Sequence, residues 1–136
     1  VNRAIELAKE AGAKRALPLS VSVPSHCSLM LPAAEKLSAA MSGIGFTKPE
    51  ITVLHNTDVA QHQDPIAIRE ALAKQLYTPV RWTETIEALA KSGVNNVVEC
   101  GPAKVLTGLN KRIDKTLGLY SSGDERSFNK TLEAFS

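Results

Sequence analysis

The residues best able to do chemistry gather in one stretch, Val23-Pro24-Ser25-His26-Cys27-Ser28-Leu29-Met30. A strand-like run ends at a proline, a histidine follows, and an amphipathic segment starts at once. An imidazole takes and gives protons near neutral pH, so the chemistry in question is general acid/base transfer. A junction between strand and helix is also where α/β proteins collect ligand and catalytic groups. On local chemistry the same residues read more readily as a plain helix start, with Ser25 as the cap and His26 in a solvated first turn. A lone histidine does not choose between the two readings.

Other reactive groups are sparse. His55-Asn56-Thr57-Asp58 forms a polar cluster at the end of a short apolar run, and His62 sits in a polar loop, read as solvated. Cys27 and Cys100 lie far apart, with no CxxC and no Cys/His ligand spacing, so no metal site is expected. A disulfide is open on count alone; two free thiols in a reducing cytoplasm are the expectation. There is no G-x-S-x-G elbow, P-loop or G-x-G-x-x-G. Met41-Ser42-Gly43-Ile44-Gly45 has similar letters in the wrong order and reads as a helix stop. Lys104, Lys111, Arg112 and Lys115 share roughly one helical face, read as a solvated face.

The elements that must position these groups follow from periodicity. The chain has 136 residues, 43% of them hydrophobic and 22% charged, which suits one packed domain or part of one. A net charge of +2 gives no general affinity for nucleic acid or membrane, and no run is long and apolar enough to span a bilayer. The chain begins Val1-Asn2-Arg3 without an initiator Met, which reads as a cut inside a longer protein. Helical spacing predicts a helix over about Asn2 to Ala11, stopped by Gly12. Leu17, Leu19, Val21 and Val23 alternate with small or polar residues, the period of a half-buried strand. Helical period returns from Cys27 to about Met41 with Pro32 in the first turn, then a short strand covers Ile51 to Leu54. Asp64-Pro65 reads as the start of a helix reaching Tyr77, and Trp82 opens another, with Thr83 as its cap and Gly93 as its stop. A strand over Val94 to Cys100, a Gly101-Pro102 turn, a helix from Lys104, a short strand near Leu117 to Ser121 and a last helix capped by Ser127 complete the chain. Strands alternating with helices imply an α/β fold with a largely parallel sheet.

Several spaced stretches together resemble a known family. They are Val23-Pro24-Ser25-His26-Cys27, Arg69 to Tyr77 ending Lys74-Gln75-Leu76-Tyr77, Pro79-Val80-Arg81-Trp82, and Glu99-Cys100-Gly101-Pro102-Ala103-Lys104-Val105-Leu106-Thr107-Gly108-Leu109. In this order and spacing they resemble the C-terminal part of the malonyl-CoA:acyl carrier protein transacylases of bacterial type II fatty acid synthesis. The resemblance covers almost the whole chain and fades after Tyr120. It implies an α/β-hydrolase-like large subdomain with a parallel sheet, represented by residues 23–136, and the last helix and strand of a ferredoxin-like small subdomain in residues 1–22. The implied activity is ping-pong transfer of malonyl from coenzyme A, through a seryl-enzyme, to the phosphopantetheine thiol of acyl carrier protein. No cofactor beyond these substrates, and a cytoplasmic setting, go with it.

By the same resemblance His26 stands at the position of the catalytic histidine, which takes the serine proton and returns one to the leaving thiolate. Gln75 stands where a backbone carbonyl orients the imidazole; read without the resemblance it is an ordinary polar helix residue. Asn56 matches an asparagine at a strand end and is a supporting position. Gly101-Pro102 with Lys104 matches a glycine-proline-glycine turn, although Ala103 stands where glycine is usual. The nucleophilic serine, the oxyanion hole and the arginine that grips the malonyl carboxylate lie N-terminal to Val1 in the family. The chain is therefore expected to be inactive alone, and ordered only when packed on the missing half or on another chain. The basic positions Lys111 and Arg112 suit an acidic carrier protein. Rival readings are the acyltransferase domain of a multidomain polyketide or fatty acid synthase, which long flanking domains would reveal, and a non-catalytic α/β binding module that keeps the histidine by descent.

Overall fold

The computed structural model describes residues 1–136. In chain order its elements are α1 (Asn2–Glu10), a single 3-10 turn (Ser28–Met30), α2 (Leu31–Met41), β1 (Leu54–His55), β2 (Ala60–Gln61), α3 (Pro65–Gln75), α4 (Trp82–Lys91), β3 (Asn96–Glu99), α5 (Val105–Ile113), β4 (Gly118–Ser121) and α6 (Glu125–Phe135). Helix starts and stops follow local chemistry. Asp64 caps α3 by accepting from the N–H groups of Ile66 and Ala67, both at 2.9 Å, with Pro65 in the first turn. Gly12 and Gly93 follow α1 and α4 with φ of 90° and 93°, a conformation that an L side chain rarely adopts.

The strands form two pairs. β1 and β2 are antiparallel, with Leu54 opposite Gln61 and His55 opposite Ala60. β3 and β4 are parallel, from Asn96 opposite Gly118 to Glu99 opposite Ser121, with α5 as the crossover. The expected parallel pairing is therefore present at this unit, while the hairpin is antiparallel.

Burial is concentrated where helices meet. α2 packs on α3, and the buried residues of that pair are Ala34, Met41, Ile68 and Ala71. α4 packs on α5, with Ile86 and Asn110 each 1% exposed. Asn110 tolerates burial because its Oδ1 accepts from the Trp82 indole N–H at 2.9 Å. α6 lies on β4, and Tyr120 meets Phe135 edge to face at 5.1 Å. No helix is long and apolar enough to cross a membrane.

Several expectations need correction. The alternating run Ala16–Val23 is not a strand: Leu19 is 84% exposed and Val21 70%, and no ladder pairs the segment. A strand is stable only when another strand takes its N–H and C=O groups, and Pro18 removes one donor besides. In the Ile51–Leu54 run only Leu54 enters a ladder, and its partner strand, Ala60–Gln61, is short enough to look like loop in the sequence. Ser25 and Thr83 cap nothing; the residues before the 3-10 turn and α4 are Cys27 and Arg81, without side-chain caps. Asp124, not Ser127, caps α6, and Ser127 closes the reciprocal half of the capping box. α5 is too short for Lys104, Lys111, Arg112 and Lys115 to share a face: Lys104 precedes it and Lys115 lies beyond Asp114.

Candidate active site

The site starts from the end of α3. The last carbonyls of a helix have no partner within it, and the helix dipole places partial negative charge there. Two carbonyls at the end of α3, those of Gln75 and of the C-cap residue Leu76, are taken by one residue. The backbone N–H of His26 donates to the Leu76 carbonyl at 2.9 Å, and its ring Nδ1 lies 2.9 Å from the Gln75 carbonyl oxygen. Nearby N–H groups of Tyr77 and Thr78 turn instead to the Lys74 carbonyl, at 3.2 and 3.1 Å.

To reach both carbonyls His26 adopts φ of 61°, in the left-handed region. Histidine is among the residues that tolerate it, at a cost of about 1–3 kcal/mol held by the surroundings. The double anchor on α3 supplies that hold. Sequence rules for the segment allow a helix start, but the anchor is a contact between residues 49 apart, which no local pattern encodes.

The anchor fixes the ring's protonation pattern. A carbonyl oxygen can only accept, so the hydrogen bond requires a proton on Nδ1. In the neutral ring Nε2 then carries the free lone pair, and no group of the chain hydrogen-bonds to it. Such a ring can accept a proton at Nε2 while Nδ1 stays bound. His26 is half-buried, so the ring is held by packing yet reachable. Gln75 contributes its backbone; its side chain makes no hydrogen bond within the chain.

Asn56 lies elsewhere. It sits in the β1–β2 loop, where its carbonyl accepts from the Arg81 N–H at 3.0 Å. Its side chain lines a groove of about 950 Å3 with Leu54, Val59, Trp82 and Leu89, and no hydrogen bond joins it to His26 or Gln75. The structure thus brings His26 and Gln75 together and leaves Asn56 apart.

The other histidines form a separate cluster in the same hairpin. His62 is not free in solvent as expected: its Nε2 is 2.9 Å from Asp58 Oδ2, and its ring tilts against that of His55 at 5.1 Å. His55 is buried, and burial first, then the neighbouring His62, holds its ring below the usual imidazole value, against the opposing pull of Asp58. Burial would raise the Asp58 carboxyl, but the hydrogen bond and charge of His62 and the Ala60 N–H outweigh it, leaving it below the usual range. Val59 closes the loop with φ of 58°. The Thr57 hydroxyl oxygen is buried without a partner.

One positioning group escaped the sequence reading. The Glu99 carboxylate, at the end of β3, accepts from the N–H groups of Leu106 (3.2 Å) and Thr107 (2.7 Å) and from the Thr107 hydroxyl (2.7 Å). These bonds, Thr107's backbone first, hold its pKa below the usual range. It caps α5 from outside the helix and fixes the Gly101-Pro102 turn between them. Capping rules search within three residues of a helix start, so a cap this distant leaves no local signal. That turn also meets Gly123, where an added Cβ would lie 2.1 Å from the Gly101 carbonyl oxygen. Both cysteines are free thiols.

No family model matches the chain. Over 133 residues, 98% of its length, the chain is 55% identical to the malonyl CoA-acyl carrier protein transacylase of Haemophilus influenzae and 50% identical to that of Escherichia coli strain K12. In each case it spans only 43% of the relative's length, the C-terminal part. Among solved structures, a malonyl-transacylase in complex with its type II PKS acyl-carrier protein matches with a TM-score of 0.90 and 53% identity, covering 98% of this chain and 43% of that one. The malonyl-CoA:acyl carrier protein transacylase of Xanthomonas oryzae matches with a TM-score of 0.91 and 45% identity, covering 98% and 42%. The chain is a homologue of the C-terminal part of these α/β transacylases.

Proposed function

We propose that this homologue of the C-terminal part of the malonyl-CoA:acyl carrier protein transacylases carries the general acid/base of that reaction, His26. The observation that supports the reading most directly is the double anchor on α3, which leaves Nε2 as the one ring nitrogen free to exchange a proton. A serine hydroxyl is a poor nucleophile until a base takes its proton. His26 Nε2 takes it as the serine attacks the malonyl thioester, and gives it to the departing coenzyme A thiolate. In the second half the phosphopantetheine thiol of acyl carrier protein loses its proton to Nε2, and the serine regains one. The Gln75 carbonyl holds Nδ1–H throughout and steadies the charged ring without adding a full negative charge.

In this proposal the serine, the oxyanion hole and the arginine for the malonyl carboxylate come from the remaining part of the enzyme, as does the surface that covers the exposed apolar run Leu17 to Val23. Residues 1–22 close a ferredoxin-like subdomain, and residues 23–136 belong to the α/β-hydrolase-like one. Asn56 supports the fold around the site and does not touch the ring. The reaction uses no resident cofactor and proceeds in the cytoplasm, with acyl carrier protein meeting the basic end of α5 at Lys111 and Arg112.

The test is malonyl transfer from coenzyme A to carrier protein by the complete enzyme containing this chain. His26→Ala is expected to lower kcat/KM by roughly 10²–10⁴-fold with circular dichroism unchanged. A variant that turns over at the parent rate overturns the assignment.

A further inference from the structure

A second concavity, of about 610 Å3, lies between β4, the first turn of α5 and the face of α6. Every charged residue lining it is a cation: Lys104, Arg126 and Lys130. Lys104 follows β3 and α6 follows β4, so the concavity opens at the carboxyl ends of the two parallel strands. Ligands of open α/β sheets bind on that side.

The arrangement does not serve helix stability. Arg126 and Lys130 are one turn apart on α6, and like charges at that spacing disfavour a helix. Two of the nearby acids are engaged elsewhere, and Glu125 and Glu133 border the adjoining concavity on α6 that Arg126 and Lys130 also line. Glu99 is committed to the α5 N–H groups. Asp124 caps α6 through the Ser127 N–H at 2.8 Å, and its second oxygen lies 3.6 Å from Lys104 Nζ. Arg126 and Lys130 have no ion-pair partner in the chain. A guanidinium offers paired donors to a phosphate, and an ammonium adds a mobile charge beside it. The volume falls within the range of small-molecule sites.

We propose that this concavity binds a phosphate-bearing anion, held by Arg126 and Lys130 with Lys104 as the third cation. The site uses none of the residues assigned to the transacylase reaction; only its coenzyme A outcome rests on that reading. A diphosphate has two sources, a free polyphosphate or the pyrophosphate arm of coenzyme A.

The experiment is a nuclear magnetic resonance titration of the complete enzyme containing this chain with inorganic pyrophosphate at fixed ionic strength near 0.15 M. Saturable shifts are expected at Lys104, Thr107, Ser121 and Arg126 to Thr131. The double variant Arg126→Glu/Lys130→Glu is expected to weaken binding by tenfold or more, and Lys111→Glu to leave it unchanged. Should charge reversal disturb the spectrum, Arg126→Gln/Lys130→Gln gives the same comparison with a smaller loss. Coenzyme A is then titrated alike: tighter binding at the same residues assigns the site to that molecule, and equal or weaker binding assigns it to free phosphate. Shifts that grow linearly without saturation, reach Lys111 and Arg112 equally, or survive the double variant overturn the proposal.

Discussion

His26 and Val59 are the two residues other than glycine with positive φ, at 61° and 58°, and each stands in a turn beside histidine chemistry. The resemblance ends there. At His26 the strained residue is tied to the end of α3 by its backbone N–H and by its ring Nδ1, and the ring keeps its other nitrogen without a partner. At Val59 the N–H returns to the His55 carbonyl at 2.9 Å, and the turn encloses a histidine pair bound up in itself, His62 on Asp58 and His55 buried beneath. Backbone strain alone therefore does not mark a reactive site. What separates the two turns is whether the strain leaves a titratable atom available.

The comparison can be broken most sharply by activity. In the complete enzyme, His26→Ala should cost the 10²–10⁴-fold given above, equivalent to about 3–5 kcal/mol of transition-state stabilisation. Val59→Gly should leave kcat/KM within about threefold, a difference under 1 kcal/mol. Equal losses at both positions would mean that the two turns matter in the same way.

Stability separates them next. Thr57→Val removes a buried hydroxyl that has no partner and keeps its volume, so the urea midpoint should rise, by about 1–3 kcal/mol of stability. A fall would mean that the hydroxyl is satisfied. Val59→Gly removes a β-branched side chain from a left-handed position. The relief, about 1–3 kcal/mol, is reduced by the glycine's extra freedom when unfolded, about 0.4–1 kcal/mol, leaving a small net gain in the same assay.

The pH dependence of stability is a smaller effect, and it belongs to the hairpin. His55 is held below the ordinary imidazole value in the fold, so on acidification the unfolded chain binds that proton first. Stability should fall as pH drops through about 6.5 and level off once folded His55 is also protonated. Asp58, held below its ordinary value, stabilises the fold above about pH 3.9, and that contribution is lost on further acidification. Urea midpoints measured from pH 8 to pH 3 should show both steps, and His55→Phe should remove the upper one. The smallest effect is expected at the anchor itself. Gln75→Ala keeps the carbonyl that holds His26 and should change kcat/KM by less than about threefold, that is, under 1 kcal/mol. A loss as large as that of His26→Ala would show that the side chain, and not the backbone, acts.

Much of this was legible in the residues. Asp64-Pro65, Gly12 and Gly93 announce their helix ends because caps are local, and the unit from Asn96 to Ser121 announces itself because strand, helix and strand succeed one another within a short span. What stayed hidden depends on partners distant in sequence. Leu17 to Val23 has a strand's alternation but no strand to pair with. Glu99 caps a helix from outside it, and the His62–Asp58 pair turns an apparent loop histidine into part of a cluster. The roles proposed for His26 and Gln75 came from resemblance to a family; the residues alone favoured a plain helix start.

The parallel pairing of β3 with β4 carries a consequence for how the chain acquires its fold. Its two strands are joined by one short helix, so the loop closed to form it is small and its entropic cost low. Glu99 ties the crossover at its start, and the Asp124 capping box begins α6 immediately beyond. Segments dominated by such near-neighbour contacts reach their native pairing sooner than those awaiting distant partners. The stretch from Asn96 to Phe135 is thus expected to become protected from hydrogen exchange early in refolding. The His26 turn, which needs a completed α3, follows.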